Sequence, residues 1–411
     1  MAHRPAPLSA GLGVGLVALP LVAWLIAPAG CLTARGKFGE PRARAGLDGG
    51  EGGSGGQGGR GGNAPEAGGV MGAGASSAPL RGASGVWENV TPGRLNLTID
   101  YPEKGQNFGA QDVLADPVRP GTFYGFVCFQ GAWKSTDWGA TWTKVSRDGN
   151  LEKGKPWGEA IAPDGSYMLA AAGNANGGAW RSTDGGQTWS GHLMGGGEDP
   201  YMFDIDPADK NHVIATTHST DIVYESRDGG LTWSNRGPAA AGGISGYIFF
   251  INSTTWLLMN QNGSNGTQGT RRTTNSGASW SKVGPMEHLH GGVQIYVDPD
   301  NGAIYLPAES GVHRSTDGGA SFTRVSEGLA SSIFATGDRI YATRAGATQA
   351  GDPPTLQSAL RSNGAAWAPI ATPPRMTNGA KRAATMLDRV TGKWVIVGGH
   401  WLAGFWRYIE E

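Results

Sequence analysis

The stretch MEHLHGG, Met286 to Gly292, places two imidazoles two residues apart beside a carboxylate. Histidine titrates near neutral pH, so His288 and His290, flanked by Glu287, suit general acid/base work. His218 and His400 sit in or beside other loops that the topology below assigns to the same face. Carboxylates for a hydrolytic pair are available at Glu159, Glu198, Asp199, Asp221, Glu287 and Glu309, although spacing alone does not say which two approach each other. The matching loops carry aromatic planes at Trp133, Trp157, Tyr201 and Trp401, amides at Asn174, Asn176 and Gln294, and guanidinium groups at Arg344 and Arg375. Rings that stack on C–H faces, beside polar groups that take hydroxyls, suit a sugar polymer. A carboxylate pair would support hydrolysis. A histidine or tyrosine base would support elimination from a uronic acid.

These residues need a scaffold, and a repeat supplies it. KSTDWGATW (134–142) returns as RSTDGGQTW (181–189), ESRDGGLTW (225–233), RTTNSGASW (272–280), RSTDGGASF (314–322) and a worn LRSNGAAW (360–367). The acidic or amide positions Asp137, Asp184, Asp228, Asn275, Asp317 and Asn363 lie 42 to 47 residues apart, the length of one four-stranded propeller blade. YMFDIDPADKNHVIATTHSTDIVYESRDGGLTWSNR shows the full unit, with strands expected near 201–205, 212–217, 221–226 and 231–235. The terminal KRAATMLDRVTGKWVIVGGHWLAGFWRYIEE has three strands and lacks a fourth, whereas VWENV, Val86 to Val90, has an outer-strand pattern and no hairpin partner before it. An all-β ring of seven four-stranded blades follows, its last blade closed by the N-terminal strand. In such a ring the repeated turns share one face with the turns between the first two strands of each blade. The loops bearing the aromatics and histidines fall on the other face, where function is expected.

The repeated motif resembles the Asp-box, or bacterial neuraminidase repeat, of sialidases, xyloglucan-cleaving hydrolases, sortilin-type receptors and a photosystem II assembly factor. The resemblance spans nearly all of residues 86–411 and implies a propeller in which the Asp-box residues are structural. It implies either a glycosidase or a non-catalytic platform that binds a protein; the loop residues add a polysaccharide lyase as a further alternative. Sialidases also carry an Arg-Ile-Pro segment and an arginine triad. No Arg-Ile-Pro occurs here, and Arg181, Arg314 and Arg361 belong to motif strands; Arg94, Arg344, Arg375 and Arg382 are better placed but form no identifiable triad. Sialidase activity is therefore not expected.

The N-terminus has His3 and Arg4, an apolar run from Leu8 to Ala27, and then PAGC ending at Cys31. That order is an export signal and resembles a bacterial lipobox with Cys31 as the lipidated residue. The domains expected are a signal at 1–30, a glycine-rich tether at 31–84 and the propeller at 85–411, held at the bacterial cell envelope by a lipid anchor. A tether almost free of bulky apolar side chains cannot offset its ordering entropy. The formal net charge of -1 gives no case for a nucleic-acid partner. With only Cys31 and Cys128 in the chain, lipidation of the first leaves no intramolecular disulfide, and no Cys/His cluster has zinc spacing. No cofactor or metal is implied, and a monomer is expected.

Overall fold

A computed structural model of the chain describes residues 78–98, 100–101, 105–173, 178–192, 194, 199–218, 220, 222–239, 246–260, 269–284, 294–343, 356–376 and 380–411. Seven four-stranded antiparallel sheets follow one another, the first six with their strands in chain order from the axis outward. The innermost strands of blades one to seven are Ala110–Ala115, Ala160–Ile161, Pro200–Ile205, Tyr247–Phe250, Tyr296–Val297, Ser332–Ala335 and Ala380–Asp388. Blade seven takes Lys393–His400 and Gly404–Ile409 as its middle strands and Trp87–Asn89 as its outer one, with Trp87 opposite Tyr408 and Asn89 opposite Trp406. The expected closure is present.

Inner strands are covered on both sides by neighbouring blades, so most of their side chains are buried, as in the apolar run Tyr247–Phe250, with Ala115 and Ile161 among the half-buried exceptions. Outer strands such as Thr143–Lys144 and Ser281–Lys282 face solvent. Between these extremes the repeated turns hold the blades' outer edges. In blade two, Asp184 Oδ1 accepts the Ser182 hydroxyl at 2.8 Å and the Gln187 and Thr188 N–H groups at 2.9 and 3.0 Å, while Oδ2 accepts the Thr188 hydroxyl at 2.6 Å. Such geometry needs two consecutive residues at positive φ, supplied by Gly185 at 73° and Gly186 at 86°. Trp189 then returns its indole N–H to the Gly186 carbonyl at 3.0 Å.

Asp137, Asp228, Asn275 and Asp317 repeat this network. Asn363 departs from it: its Oδ1 receives only the Ala365 N–H at 3.1 Å, and Arg361 reaches instead to Asp298 of blade five at 3.0 Å. Burial works against ionisation at Asp184, but the Thr188 hydroxyl and N–H bonds outweigh it and hold the carboxyl below its ordinary range.

Candidate functional site

On the face opposite the repeated turns, the blade-to-blade loop before blade two is pinned by a two-way backbone pair, Lys155 N–H to Gly173 O at 3.0 Å and Gly173 N–H to Lys155 O at 2.7 Å. This fixes Lys155 over a floor of rings, its Nζ 4.6 Å from the centroid of Phe108 and 5.7 Å from that of Trp157. Phe108 continues to Trp401 at 4.5 Å, and Trp157 to Tyr201 at 6.1 Å and to the His218 imidazole at 6.5 Å. Tyr201 also packs on His218 at 5.2 Å and shares a 2.8 Å hydroxyl–hydroxyl bond with Tyr247 of blade four. His218 Nδ1 lies 3.4 Å from Asp199 Oδ2, and its backbone N–H donates to the Asp199 carbonyl at 2.7 Å. Burial pushes the Lys155 ammonium below its ordinary range, partly opposed by Cys128 and Asp199. Phe129 and Leu402, both at positive φ without being glycine, turn the chain beside this cluster.

Beneath the rings lies a buried charge cluster on the inner wall. Arg382 of blade seven donates from Nη1 to Asp112 Oδ2 of blade one, and to the Glu159 carbonyl at 2.7 Å at the entry to blade two. All three residues are inaccessible to solvent. Two carboxyls against one guanidinium leave one negative charge too many. Burial, and then the adjacent Asp112 charge, raise the Glu159 carboxyl well above its usual value. Asp112 is also pushed up by burial, against the pull of Arg382. The carboxyl touching the guanidinium keeps its charge, and the shared proton belongs on Glu159.

The structure brings together Trp157, Tyr201, His218 and Trp401, with Glu159 below them, out of the residues expected from sequence. It changes the role of the rings, however. Trp133, Trp157, Tyr201 and Trp401 are buried among other side chains and offer no free stacking face. The solvent-facing groups are His218 and Asp199, with side chains 20% and 27% exposed. His400 is fully buried, and burial lowers its pKa to about 3, so it is neutral at physiological pH and not placed for acid/base exchange with a substrate. Gln294 is a strut: it donates to Ala383 O at 2.9 Å and accepts from the Ser332 hydroxyl at 2.9 Å, tying blades five, six and seven. Arg375 is exposed. Asn174, Asn176, Glu287, His288, His290, Arg344 and Cys31 lie outside the described residues.

Lys155, Tyr247 and Asp112 were not singled out as site residues from sequence, and Arg382, weighed there as a ligand-face arginine, is instead buried against Asp112. KPW at 155–157 placed a lysine beside a selected tryptophan and was the available signal. Among the described residues, no three His, Cys, Asp or Glu side chains converge to hold a metal ion.

This geometry defines a seven-bladed propeller with a basic-aromatic cluster on one face. No protein-family model and no curated protein sequence matches the chain. Solved structures do. A GH74 xyloglucanase from Xanthomonas campestris aligns at 17% identity with a TM-score of 0.55, over 78% of this chain and 53% of that one. YCF48 bound to D1 peptide aligns at 14% identity and 0.51, over 82% of this chain and 100% of that one. The extracellular domain of a hybrid two-component system from B. thetaiotaomicron aligns at 12% identity and 0.54, over 74% and 40%. The chain thus spans about half the length of the xyloglucanase. At these identities the likeness is one of fold.

Proposed function

We propose that the protein is an exported, lipid-anchored propeller that binds acidic polysaccharide on the face carrying Lys155, Asp199 and His218. The observation that carries this reading is the Lys155 ammonium held over Phe108 and Trp157, beside a histidine–carboxylate pair. Lys155 is only 9% exposed, and a cation so largely removed from water attracts a uronate carboxylate that reaches it more strongly than a solvated one, while His218 and Asp199 supply donor and acceptor for flanking hydroxyls. If the bound sugar is also cleaved, the described groups favour elimination over hydrolysis. Asp112 and Glu159 are the carboxyls that approach each other here, and both are buried around Arg382. Hydrolysis needs two that reach the glycosidic bond.

The test is affinity electrophoresis in polyuronate and in xyloglucan gels, with unsaturated-uronate absorbance and reducing ends followed in parallel. Wild type should be retarded by polyuronate, and Lys155→Met and His218→Gln should each weaken retardation about tenfold or more. Equal migration of all three proteins would remove the proposal. A second reading, a protein-binding platform, is favoured by one observation: the alignment covers the whole of YCF48, a propeller caught with a peptide, but only half of the xyloglucanase.

A further inference from the structure

Among the described residues the large apolar side chains that stand exposed are Val86, Val118, Leu231, Leu360 and Val390. All five lie towards the face of the repeated turns: Leu231 and Leu360 at the turns of blades three and six, Val118 and Val390 between the first two strands of blades one and seven, and Val86 just before the closing strand. Val118 and Val390, 50% and 93% exposed, stand together at the mouth of an axial cavity of about 670 Å³, which Asp116, Asp388 and Arg389 also line. The two tips are built alike. Asp116 accepts the Val118 and Arg119 N–H groups at 3.0 Å and the Arg119 guanidinium at 2.8 Å, and Asp388 accepts the Val390 N–H at 3.0 Å and the Thr391 hydroxyl at 2.6 Å. Both carboxylates are buried, so each tip presents to solvent a valine beside an arginine, Arg119 or Arg389. Exposed apolar side chains gathered on one face mark a contact surface.

We propose that blades seven and one rest these tips on an anionic lipid surface, Val118 and Val390 entering the headgroup region and Arg119 and Arg389 meeting lipid phosphates. The chain's own course favours a membrane over another partner. Its described part begins at this edge, where Ala78 O accepts the Trp138 indole N–H at 2.8 Å and Arg81 O accepts Arg407 Nη2 at 2.9 Å, and the apolar run from Leu8 to Ala27 lies upstream. The contact rests on the anchored reading proposed above and adds an orientation to it, because residues 28–77 separate that run from the propeller and the run alone does not set which face meets the lipid. The other tips carry acids instead: Asp164 paired with Lys210, Asp209 on blade three, Asp300 paired with Arg361, and Asp338 on blade six. Glu411 is exposed too, but out beside Gly85 at the closing strand. An anionic surface gains nothing from these groups, so the propeller tilts onto blades seven and one. The Lys155 face then points away from the lipid, towards a polymer.

The experiment places the full chain, with carbon-13 methyl-labelled valine, in lipid nanodiscs of phosphatidylcholine with and without phosphatidylglycerol. The Val118 and Val390 signals are assigned by their loss in Val118→Ala and Val390→Ala. With phosphatidylglycerol, both methyl pairs should be broadened by a doxyl lipid labelled near its headgroup and shielded from a soluble gadolinium chelate, while the buried Val213 of blade three responds to neither. Arg389→Glu should weaken the lipid contact about tenfold and leave polyuronate retardation unchanged, since it lies on the opposite face. A chain that joins the discs with both methyl pairs still open to the chelate, or with broadening that Arg389→Glu does not alter, would overturn the contact alone. A chain that does not join them would overturn the anchored reading with it. Shielding that appears without lipid would assign the surface to a second copy instead.

Discussion

His400 is the residue whose titration is most sharply set by its surroundings. Its folded pKa of about 3 lies below the ordinary value of 6.5, so the unfolded chain takes the proton first as pH falls. Stability from this group is complete above pH 6.5 and is lost as pH drops towards 3, by about 1.4 kcal/mol per unit. Denaturant unfolding from pH 7 to 4.5 should show that loss in wild type and a flatter curve in His400→Leu. Superimposable curves would refute the neutral-histidine assignment.

Glu159 runs the other way. Its raised pKa means the folded state holds a proton that the unfolded state gives up at ordinary carboxylate pH, so its contribution is present in acid and declines as pH rises. Glu159→Gln should remove that decline above about pH 4.5 and leave the propeller folded, as checked by the same titration extended to pH 9. The sequence indicated that Trp157, Tyr201, His218 and Glu159 belong near one face because strand order alone decides a loop's face. It did not indicate that Glu159 meets Asp112 and Arg382. Those partners lie on three different blades, and only the closed ring sets their distance.

At the scale of the element, the repeated turn was the most legible part of the chain. A carboxylate, a hydroxyl and paired glycines have few other uses at that spacing, and the period fixed the blade count. The substitutions within the repeats are informative too. Asn275 accepts the Ser279 N–H at 2.9 Å and gives its amide to the Ser279 hydroxyl at 2.9 Å, so an amide serves where the neighbour provides an acceptor. In blade two Asp184 faces only donors, and Asp184→Ala should cost about 0.5 to 1.5 kcal/mol, since the exposed donors it releases turn to water. Asp184→Asn should cost less, since the Thr188 hydroxyl can rotate to accept as Ser279 does. Thermal unfolding of the two variants decides the order; equal losses would mean that charge, not hydrogen bonding, holds the turn. The axial cavity on this face was not legible. Its rim is built from turns such as Asp116–Pro117, which read in sequence only as connectors.

For the whole molecule the weak point is the seam where the ring closes. The outer strand of blade seven comes from the other end of the chain, and Cys128 is free and buried, so packing and hydrogen bonds must hold it. Trp142 of blade one stacks on Phe405 of blade seven at 4.4 Å, and Gly125 must be glycine because a Cβ there would collide with the Phe405 ring. Glu88 on the closing strand meets Arg407 at 2.9 Å, and Arg407, only 4% exposed, also binds Arg81 O. Removing Glu88 leaves that cation buried without its counter-charge, a loss of about 2 to 3 kcal/mol given the partial exposure of Glu88. Because the strand is joined to the ring only along Phe405–Tyr408 and nearby turns, the loss should appear as local opening before global unfolding. In Glu88→Ala, amide hydrogen exchange should therefore quicken in Gly404–Ile409 while Trp256–Asn260 of blade four keeps its protection under native conditions. Equal acceleration around the ring would instead make the seven blades one cooperative unit, with closure no weaker than any other joint.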